Sequence, residues 1–189
     1  MKKISLLLIA LLALALLAAC GAAEEEEPQN GMPNPMTETD AGELAALGLF
    51  LPAPETAEDV SYFRYDIEGA EPIGELRFTL DGQQAALRAQ RTELEDLTVS
   101  DEQVSAMGQG ELDFLTGMPG DISGLYCDWE MAGTTIVKDR PALWRVGDDA
   151  GFVAWVDAGT LYNLIMTEGA DQETMTALAE QVFVSVTDK

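Results

Sequence analysis

The chain has 189 residues, and its 34 Asp and Glu against 10 Lys and Arg give a net charge of −24 at pH 7. This charge argues against binding to nucleic acid or to anionic membrane surfaces, because both depend on neutralising negative charge with basic side chains. The chain has no histidine and only two cysteines. Catalytic triads with a histidine base and zinc sites built from His or paired Cys are therefore excluded.

The amino-terminal stretch has the parts of an export signal. Lys2 and Lys3 precede an apolar run over residues 4–19, which ends at Cys20 and Gly21. The run is shorter than the roughly 20 apolar residues of a membrane span, and it ends in the pattern Leu-Ala-Ala-Cys-Gly. This pattern resembles the signal peptides of bacterial lipoproteins. The resemblance implies removal of residues 1–19, attachment of diacylglycerol and palmitate at Cys20, and a location on the outer face of the cell membrane.

Charge and cysteine content limit which partners the mature protein can have. Removal of the signal leaves eight basic against 34 acidic side chains, a net charge of about −26. Membrane lipid held through acylated Cys20 is the expected first partner, an envelope protein is a possible second, and no nucleic acid and no cofactor are expected. Cys127 is then the remaining thiol, and its apolar neighbours favour a buried small hydrophobe.

Composition divides the mature chain into a tether and a domain. Residues 20–37 combine the acidic block Glu24 to Glu27 with several prolines, a mixture that cannot bury enough apolar surface to fold. Residues 38–189 have the length of a single domain. The sequence therefore predicts a signal peptide, a lipidated acidic tether and one folded unit.

The first half of the domain predicts a short helix followed by strands. Asp40 and Glu43 form an acidic version of a capping box, and Gly48 suits the end of the helix. Strand-like segments follow at residues 60–67, 73–80 and 85–91. Asp81-Gly82 between the last two favours a type I′ hairpin turn. Leu76, Phe78 and Leu80 then share one face of the sheet, with Arg77 and Thr79 on the other.

The second half predicts more strands and a closing helix. Residues 93–120 read as an irregular excursion, with a helical turn possible over residues 101–107. Strand candidates cover residues 124–131, 134–137, 142–146, 152–156 and 161–166. An apolar stripe at helical spacing follows Asp171 and comprises Met175, Leu178, Ala179, Val182, Phe183 and Val186. The pattern predicts an α+β fold, an antiparallel β-meander with a short N-terminal helix and a C-terminal amphipathic helix on one face.

One motif near the C-terminus carries a second resemblance. Trp155, Asp157, Gly159 and Tyr162 form the pattern Trp-x-Asp-x-Gly-x-x-Tyr, followed by the predicted closing helix. This region resembles uncharacterised extracytoplasmic domains of Gram-positive lipoproteins and of anti-sigma-like membrane proteins. The resemblance implies a non-catalytic sensory or binding role. The residues also have a structural account, since Trp155 and Tyr162 can pair across a hairpin that turns at residues 157–159.

Several residues are candidate functional groups. An exposed aromatic platform for a ligand would comprise Trp129, Trp144, Trp155 and Tyr162. Asp148 and Asp149, in a glycine-flanked turn, are weak candidates for a calcium contact, without the ligand spacing of an EF-hand loop. A carboxylate pair for hydrolysis would come from Glu93, Glu95 and Asp96.

Three functions remain open from the sequence. The first is a membrane-anchored extracytoplasmic lipoprotein whose domain is a non-catalytic binding or sensory module. The second is a small-ligand or lipid carrier with a cavity beneath the C-terminal helix. The third, less favoured, is an envelope hydrolase that depends on carboxylates.

Overall fold

The computed structural model of this protein describes residues 36–67, 69–107, 129–148, 150–167 and 170–183. The predicted signal peptide, Cys20, nearly all of the predicted tether and Cys127 lie outside these residues. The described part begins with a strand at Met36, two residues before the predicted start of the domain.

Within these described ranges, eight strands form one antiparallel sheet. They are β1 (Met36–Thr39), β2 (Glu58–Tyr65), β3 (Ile73–Leu80), β4 (Gln83–Arg91), β5 (Trp129–Val137), β6 (Arg140–Gly147), β7 (Gly151–Asp157) and β8 (Thr160–Met166). The predicted antiparallel sheet is confirmed, and the sheet-dominated fold is compatible with the α+β class. The spatial order β1-β2-β3-β4-β8-β7-β6-β5 differs from one continuous meander. Two four-stranded meanders instead join through their last strands, β4 and β8.

Tight turns fix the register of two hairpins. Asp81 and Gly82 have φ values of 52° and 79°, and Leu80 pairs with Gln83 across the turn. Positive φ at both central residues is the type I′ geometry predicted for this pair. Ala158 and Gly159 turn between β7 and β8 with φ values of 48° and 71°.

One predicted interruption does not exist. The sequence suggested separate strands over residues 124–131 and 134–137, whereas β5 is one strand from Trp129 to Val137. Residues 124–128 lie outside the described part. Gly133 lies in the middle of this strand, opposite Trp144 on β6. A Cβ atom at residue 133 would lie 2.9 Å from Cζ2 of Trp144. The glycine therefore makes room for an indole ring and does not end the strand.

Three short helices accompany the sheet in the described residues. Helix α1 (Ala41–Ala46) begins after Asp40, whose carboxylate accepts hydrogen bonds from the backbone N–H groups of Gly42 and Glu43. Helix α2 (Asp101–Ala106) begins with a capping box between Ser100 and Gln103. Helix α3 (Gln172–Val182) begins after Asp171, which accepts from the backbone N–H of Thr174.

The two faces of the sheet bury different groups. On the first face, Leu44 of α1 and Met175 of α3 pack with apolar side chains of β3, β4, β7 and β8 in the larger core cluster. On the second face, Val104 of α2 packs in a smaller cluster with Phe152 and Ile165. Every residue of β7 and β8 is buried, which explains why both strands are apolar on both faces. The second face of β2, β3 and β4 carries polar and charged side chains together with the rings of Phe63 and Tyr65.

Candidate functional site

A charged cluster lies on the second face of the sheet, where β3 and β4 run side by side. Because side chains alternate between faces, Glu75 and Arg77 of β3 project opposite to Leu76 and Phe78, which lie in the core. Arg88 of β4 is the direct cross-strand partner of Glu75. The register of the Asp81-Gly82 hairpin thus brings one carboxylate and two guanidinium groups together.

Glu75 bridges the two arginines. Its Oε1 atom accepts a hydrogen bond from Nε of Arg77 at 2.5 Å, and its Oε2 atom accepts from Nε of Arg88 at 2.5 Å. The side chains of Glu75 and Arg88 are 1% and 4% exposed, whereas that of Arg77 is 44% exposed. The cluster is therefore anchored in the interior and reaches the surface through Arg77.

Two aromatic rings of β2 support the guanidinium groups. The Cζ atom of Arg77 lies 4.4 Å from the ring centroid of Phe63, and that of Arg88 lies 5.4 Å from the ring centroid of Tyr65. Nη2 of Arg77 also donates a hydrogen bond to the hydroxyl of Tyr65 at 3.2 Å. Cation–π contacts of this kind and hydrogen bonds restrict the rotamers of both arginines.

The electrostatic environment keeps Glu75 ionised. Burial alone would raise the pKa of Glu75, but the charge of Arg88 and the hydrogen bonds from Arg88 and Arg77 outweigh it, so the pKa lies below its ordinary value. Burial and the charge of Glu75 raise the pKa of Tyr65. The three charged groups together carry a net charge of +1, in a chain whose total is −24.

The guanidinium groups retain donors that the cluster does not use. Among the described residues, Arg88 donates to Glu75, and Arg77 donates to Glu75, Tyr65 and the sulfur of Met36. An arginine has five N–H donors in a planar fork. Both side chains can therefore donate to a further acceptor without giving up the bonds that position them.

A pocket of about 510 Å³ lies beside this cluster. Its volume falls in the range of about 300–1,000 Å³ that is typical of small-molecule sites. Its lining comes from β2, β3, β4 and the end of β8, and comprises Asp59, Ser61, Glu75, Arg77, Phe78, Thr79, Gln84, Ala85, Ala86, Arg88, Ile165 and Thr167. It combines charged and hydrogen-bonding groups with apolar surface.

An irregularity in β2 places an acidic group in the same pocket. The pairing of β2 with β3 shifts register between Glu58 and Ser61. Asp59 lies within this shift with a φ of 52°, a left-handed conformation that Asp tolerates better than most residues. Its Oδ2 atom accepts a hydrogen bond from the hydroxyl of Thr79 at 3.4 Å. Irregularities of this kind often re-aim a side chain beside a functional site.

The four residues of the predicted aromatic platform lie in different parts of the fold. Trp155 and Tyr162 pair across β7 and β8 as expected, with ring centroids 5.6 Å apart and stacked, and both are 1% exposed on the face covered by α3. Burial and the charge of Asp157 raise the pKa of Tyr162 to about 12. Trp144 is partly buried against Gly133 and donates from Nε1 to the carbonyl of Thr134. Trp129 begins β5, and its side chain lies outside the described part.

The residues of the predicted acidic sites that the structure describes lie at the surface. Asp148 is exposed at the end of β6, and Asp149 lies outside the described residues. Glu93, Glu95 and Asp96 are exposed in the segment after β4, where Asp96 accepts from the backbone N–H of Thr98. Within residues 36–67, 69–107, 129–148, 150–167 and 170–183, no three Cys, Asp or Glu side chains converge to hold a metal ion.

Sequence reasoning placed Arg77 on the face away from the core but did not single out the cluster as a site. The signal was present in the hairpin register. With Asp81-Gly82 at a two-residue turn, Leu80 must pair with Gln83, and counting back along both strands places Glu75 opposite Arg88. Opposite charges at directly paired positions on one face indicate an ion pair.

Comparison with known proteins gives no relative from which a function could be inferred. No protein-family model matches the chain, and no curated protein matches it significantly. In the part of the chain that the structure describes, no helix has the length and apolar character to cross a membrane.

Proposed function

We propose that this protein is a lipid-anchored extracytoplasmic binding module that takes a small ligand into the pocket on the second face of the sheet. The observation that carries the proposal is the pair of arginines held in place by Glu75 beside a volume of about 510 Å³. Fixed donors beside a cavity are the arrangement that ligand sites share, because pre-organised groups lose little entropy on binding.

The proposed location rests on the sequence around Cys20. The positive start, the apolar run and the small residues before Cys20 support export and acylation on the outer face of the cell membrane. One acyl chain holds a protein only marginally, whereas two or more hold it stably. With a mature charge of about −26, lipid rather than a basic patch would hold the domain at the membrane.

A binding role suits the cluster better than a catalytic one. A general acid or base works best with a pKa near the operating pH, whereas the two arginines hold the pKa of Glu75 below its ordinary value. The chain also has no histidine to act as a base. Glu75 is therefore suited to position Arg77 and Arg88 and not to transfer protons.

In this proposal two of the helices cover the first face and the ligand enters from the second. The closing helix α3 and the opening helix α1 would act as covers of the first face. Between α3 and the sheet, the inward side chains Met175, Leu178, Ala179 and Val182 are at most 7% exposed. This packing leaves the second face as the better place for the small-ligand role that the sequence had suggested beneath the C-terminal helix.

Thermal unfolding in the presence of ligands tests the binding role. The acylated protein in detergent micelles is mixed in turn with small anions, cations, zwitterions and neutral sugars, and its melting temperature is recorded. A ligand that binds the folded state raises this temperature. We expect at least one class to do so in the wild type and to lose the effect when Ala86 at the pocket surface is replaced by Trp. If no class raises the melting temperature, the pocket does not serve a small ligand.

Metabolic labelling tests the anchor separately. Cells supplied with an alkyne analogue of palmitate should label the wild-type protein and the Cys127→Ser variant. The Cys20→Ser variant should remain unlabelled and keep its leader. Label retained by Cys20→Ser would refute acylation at that residue, without bearing on the pocket.

A further inference from the structure

The geometry points to a small monocarboxylate as the ligand of this pocket, with its carboxylate bound by Arg77 and Arg88. This inference rests on the proposed function and specifies the chemistry of the same site. It starts from the N–H donors that remain on the two guanidinium groups when the Nε–H of each donates to Glu75. A guanidinium fork matches the two oxygens of a carboxylate, and charged hydrogen bonds of this type are roughly twice as strong as neutral ones.

The charge count at the two arginines favours a single carboxylate at that end of the ligand. With Asp59 included, the charged residues that line the pocket sum to zero. Glu75 neutralises one of the two arginines, so the cluster has one positive charge in excess. A monocarboxylate balances that charge. A phosphate monoester, with about −1.5 to −2 at pH 7, would exceed it and would meet the carboxylate of Asp59 in the same pocket.

Asp59 extends the recognition to a second group of the ligand. It lines the pocket from β2, where the register shift and its left-handed backbone direct it, and Thr79 donates to one of its oxygens. A carboxylate at this position accepts hydrogen bonds and favours a cationic or hydroxyl donor. The pocket thus offers arginine donors and an acidic acceptor, which together suit an amino acid or a hydroxy acid.

The remaining surface limits the size of the ligand. Ala86 and Ile165 supply a small apolar area between the polar groups, and Ser61 and Gln84 contribute hydrogen-bonding side chains. A pocket of about 510 Å³ accommodates a compact molecule with a short aliphatic part.

Isothermal titration calorimetry of the acylated protein in detergent micelles tests the inference. The probes are the standard amino acids, short aliphatic and 2-hydroxy monocarboxylic acids, the primary amides of the acids that bind, and inorganic phosphate. We expect at least one acid to bind, and its amide to bind at least about tenfold more weakly, because a charged hydrogen bond becomes a neutral one. Inorganic phosphate should bind more weakly than that acid.

A matched pair of variants locates the effect. Arg77→Gln should weaken binding of the same acid at least about tenfold. Arg64→Gln is the control, because Arg64 lies on the neighbouring strand, is 37% exposed and has its own carboxylate partner, Asp66, but does not line the pocket. It changes the protein's charge equally and should leave affinity within about twofold. Circular dichroism checks that both variants fold, and the acid-to-amide comparison requires no variant.

The outcomes separate this inference from the proposed function. Equal affinity for acid and amide, unchanged affinity in Arg77→Gln, a preference for phosphate, or no binding by any acid would each overturn the monocarboxylate assignment. If neutral or cationic ligands nevertheless raise the melting temperature of the wild type and not of the Ala86→Trp variant, the pocket is still a binding site and only its ligand class is wrong.

Discussion

Glu75 is the residue on which the charged cluster depends. Replacing it with Gln leaves Arg88, 4% exposed, without its counter-ion, and removing one partner of a buried ion pair typically costs about 3–5 kcal/mol. We expect Glu75→Gln to lower the free energy of unfolding by about 3 kcal/mol in urea titrations. In an Arg88→Met background the same change should cost clearly less, because the buried charge is already gone. Equal costs in both backgrounds would show that the two residues do not interact.

The same carboxylate predicts a dependence of stability on pH. The pKa of Glu75 is lower in the folded protein than its ordinary value of 4.5. Its contribution to stability is therefore complete above about pH 4.5 and is lost as the pH falls through the folded pKa. We expect the loss of stability on acidification to be smaller in Glu75→Gln than in the wild type. Parallel curves of unfolding free energy between neutral pH and pH 3 would contradict this.

Substitution of Gly133 tests the packing of Trp144 near the edge of the sheet. A Cβ atom at residue 133 would lie 2.9 Å from Cζ2 of Trp144, and overpacking of this kind costs about 1–3 kcal/mol. Gly133→Ala should lower the free energy of unfolding by that amount, as measured in urea. In a Trp144→Leu background the indole is absent, so the added methyl should be nearly neutral. A penalty of the same size in both backgrounds would assign the effect to the glycine backbone and not to the ring.

Among the strands, β5 lies at the edge of the sheet, and side chains form hydrogen bonds with its backbone. Asp101 of α2 accepts hydrogen bonds from both the backbone N–H and the hydroxyl of Thr134 through Oδ1, at 2.8 and 2.7 Å. From the other side, Trp144 donates to the carbonyl of Thr134 at 3.2 Å. Open strand edges invite pairing with other chains. These contacts occupy both backbone polar groups at the middle of the strand.

The Asp101 contact should weaken in acid. Hydrogen bonds from the hydroxyl and then the backbone N–H of Thr134 hold the pKa of Asp101 below its ordinary value. The contact is therefore fully formed above about pH 4 and is lost as the pH falls through the folded pKa. Hydrogen exchange followed by NMR should show protection of the Thr134 amide decreasing in Asp101→Ala, while Ser105→Ala at the other end of α2 leaves it unchanged. Full protection in Asp101→Ala would mean that the carboxylate does not cover the edge.

Local signals in the sequence predicted local elements. Asp81-Gly82 specified a two-residue turn because only a few residues tolerate positive φ, and Asp40 specified a helix start because its carboxylate can accept from the first free N–H groups. The two predicted strands left residues 132 and 133 between them, and a glycine such as Gly133 in a strand has two causes, a break or a close neighbour. Which cause applied depended on Trp144 of β6. Its position opposite Gly133 follows from the pairing of β5 with β6 and not from the residues beside Gly133.

At the scale of the whole molecule, strand order was beyond local patterns. Pairing of β4 with β8 joins residues that are 69 to 81 positions apart. No pattern within either strand indicates which strand it pairs with. The apolar character of β8 on both faces fits a central strand, but the sequence read it as one more strand of a meander. This central pairing places Ile165 opposite Ala86, and Thr167 after β8 also lines the pocket, so the pocket exists only once the two meanders have joined.

The location of the ligand contact is the most direct test of whether the pocket on the second face is the binding site. Two-dimensional NMR of the acylated protein in micelles, with the ligand that most raises its melting temperature, reports which backbone amides and arginine Nε–H groups shift. We expect the shifts to concentrate at Asp59, Arg77, Ala86 and Arg88, on the second face of β2, β3 and β4. Shifts confined to α3 and the core residues beneath it, with the arginine signals unmoved, would contradict the account and support a cavity under the C-terminal helix.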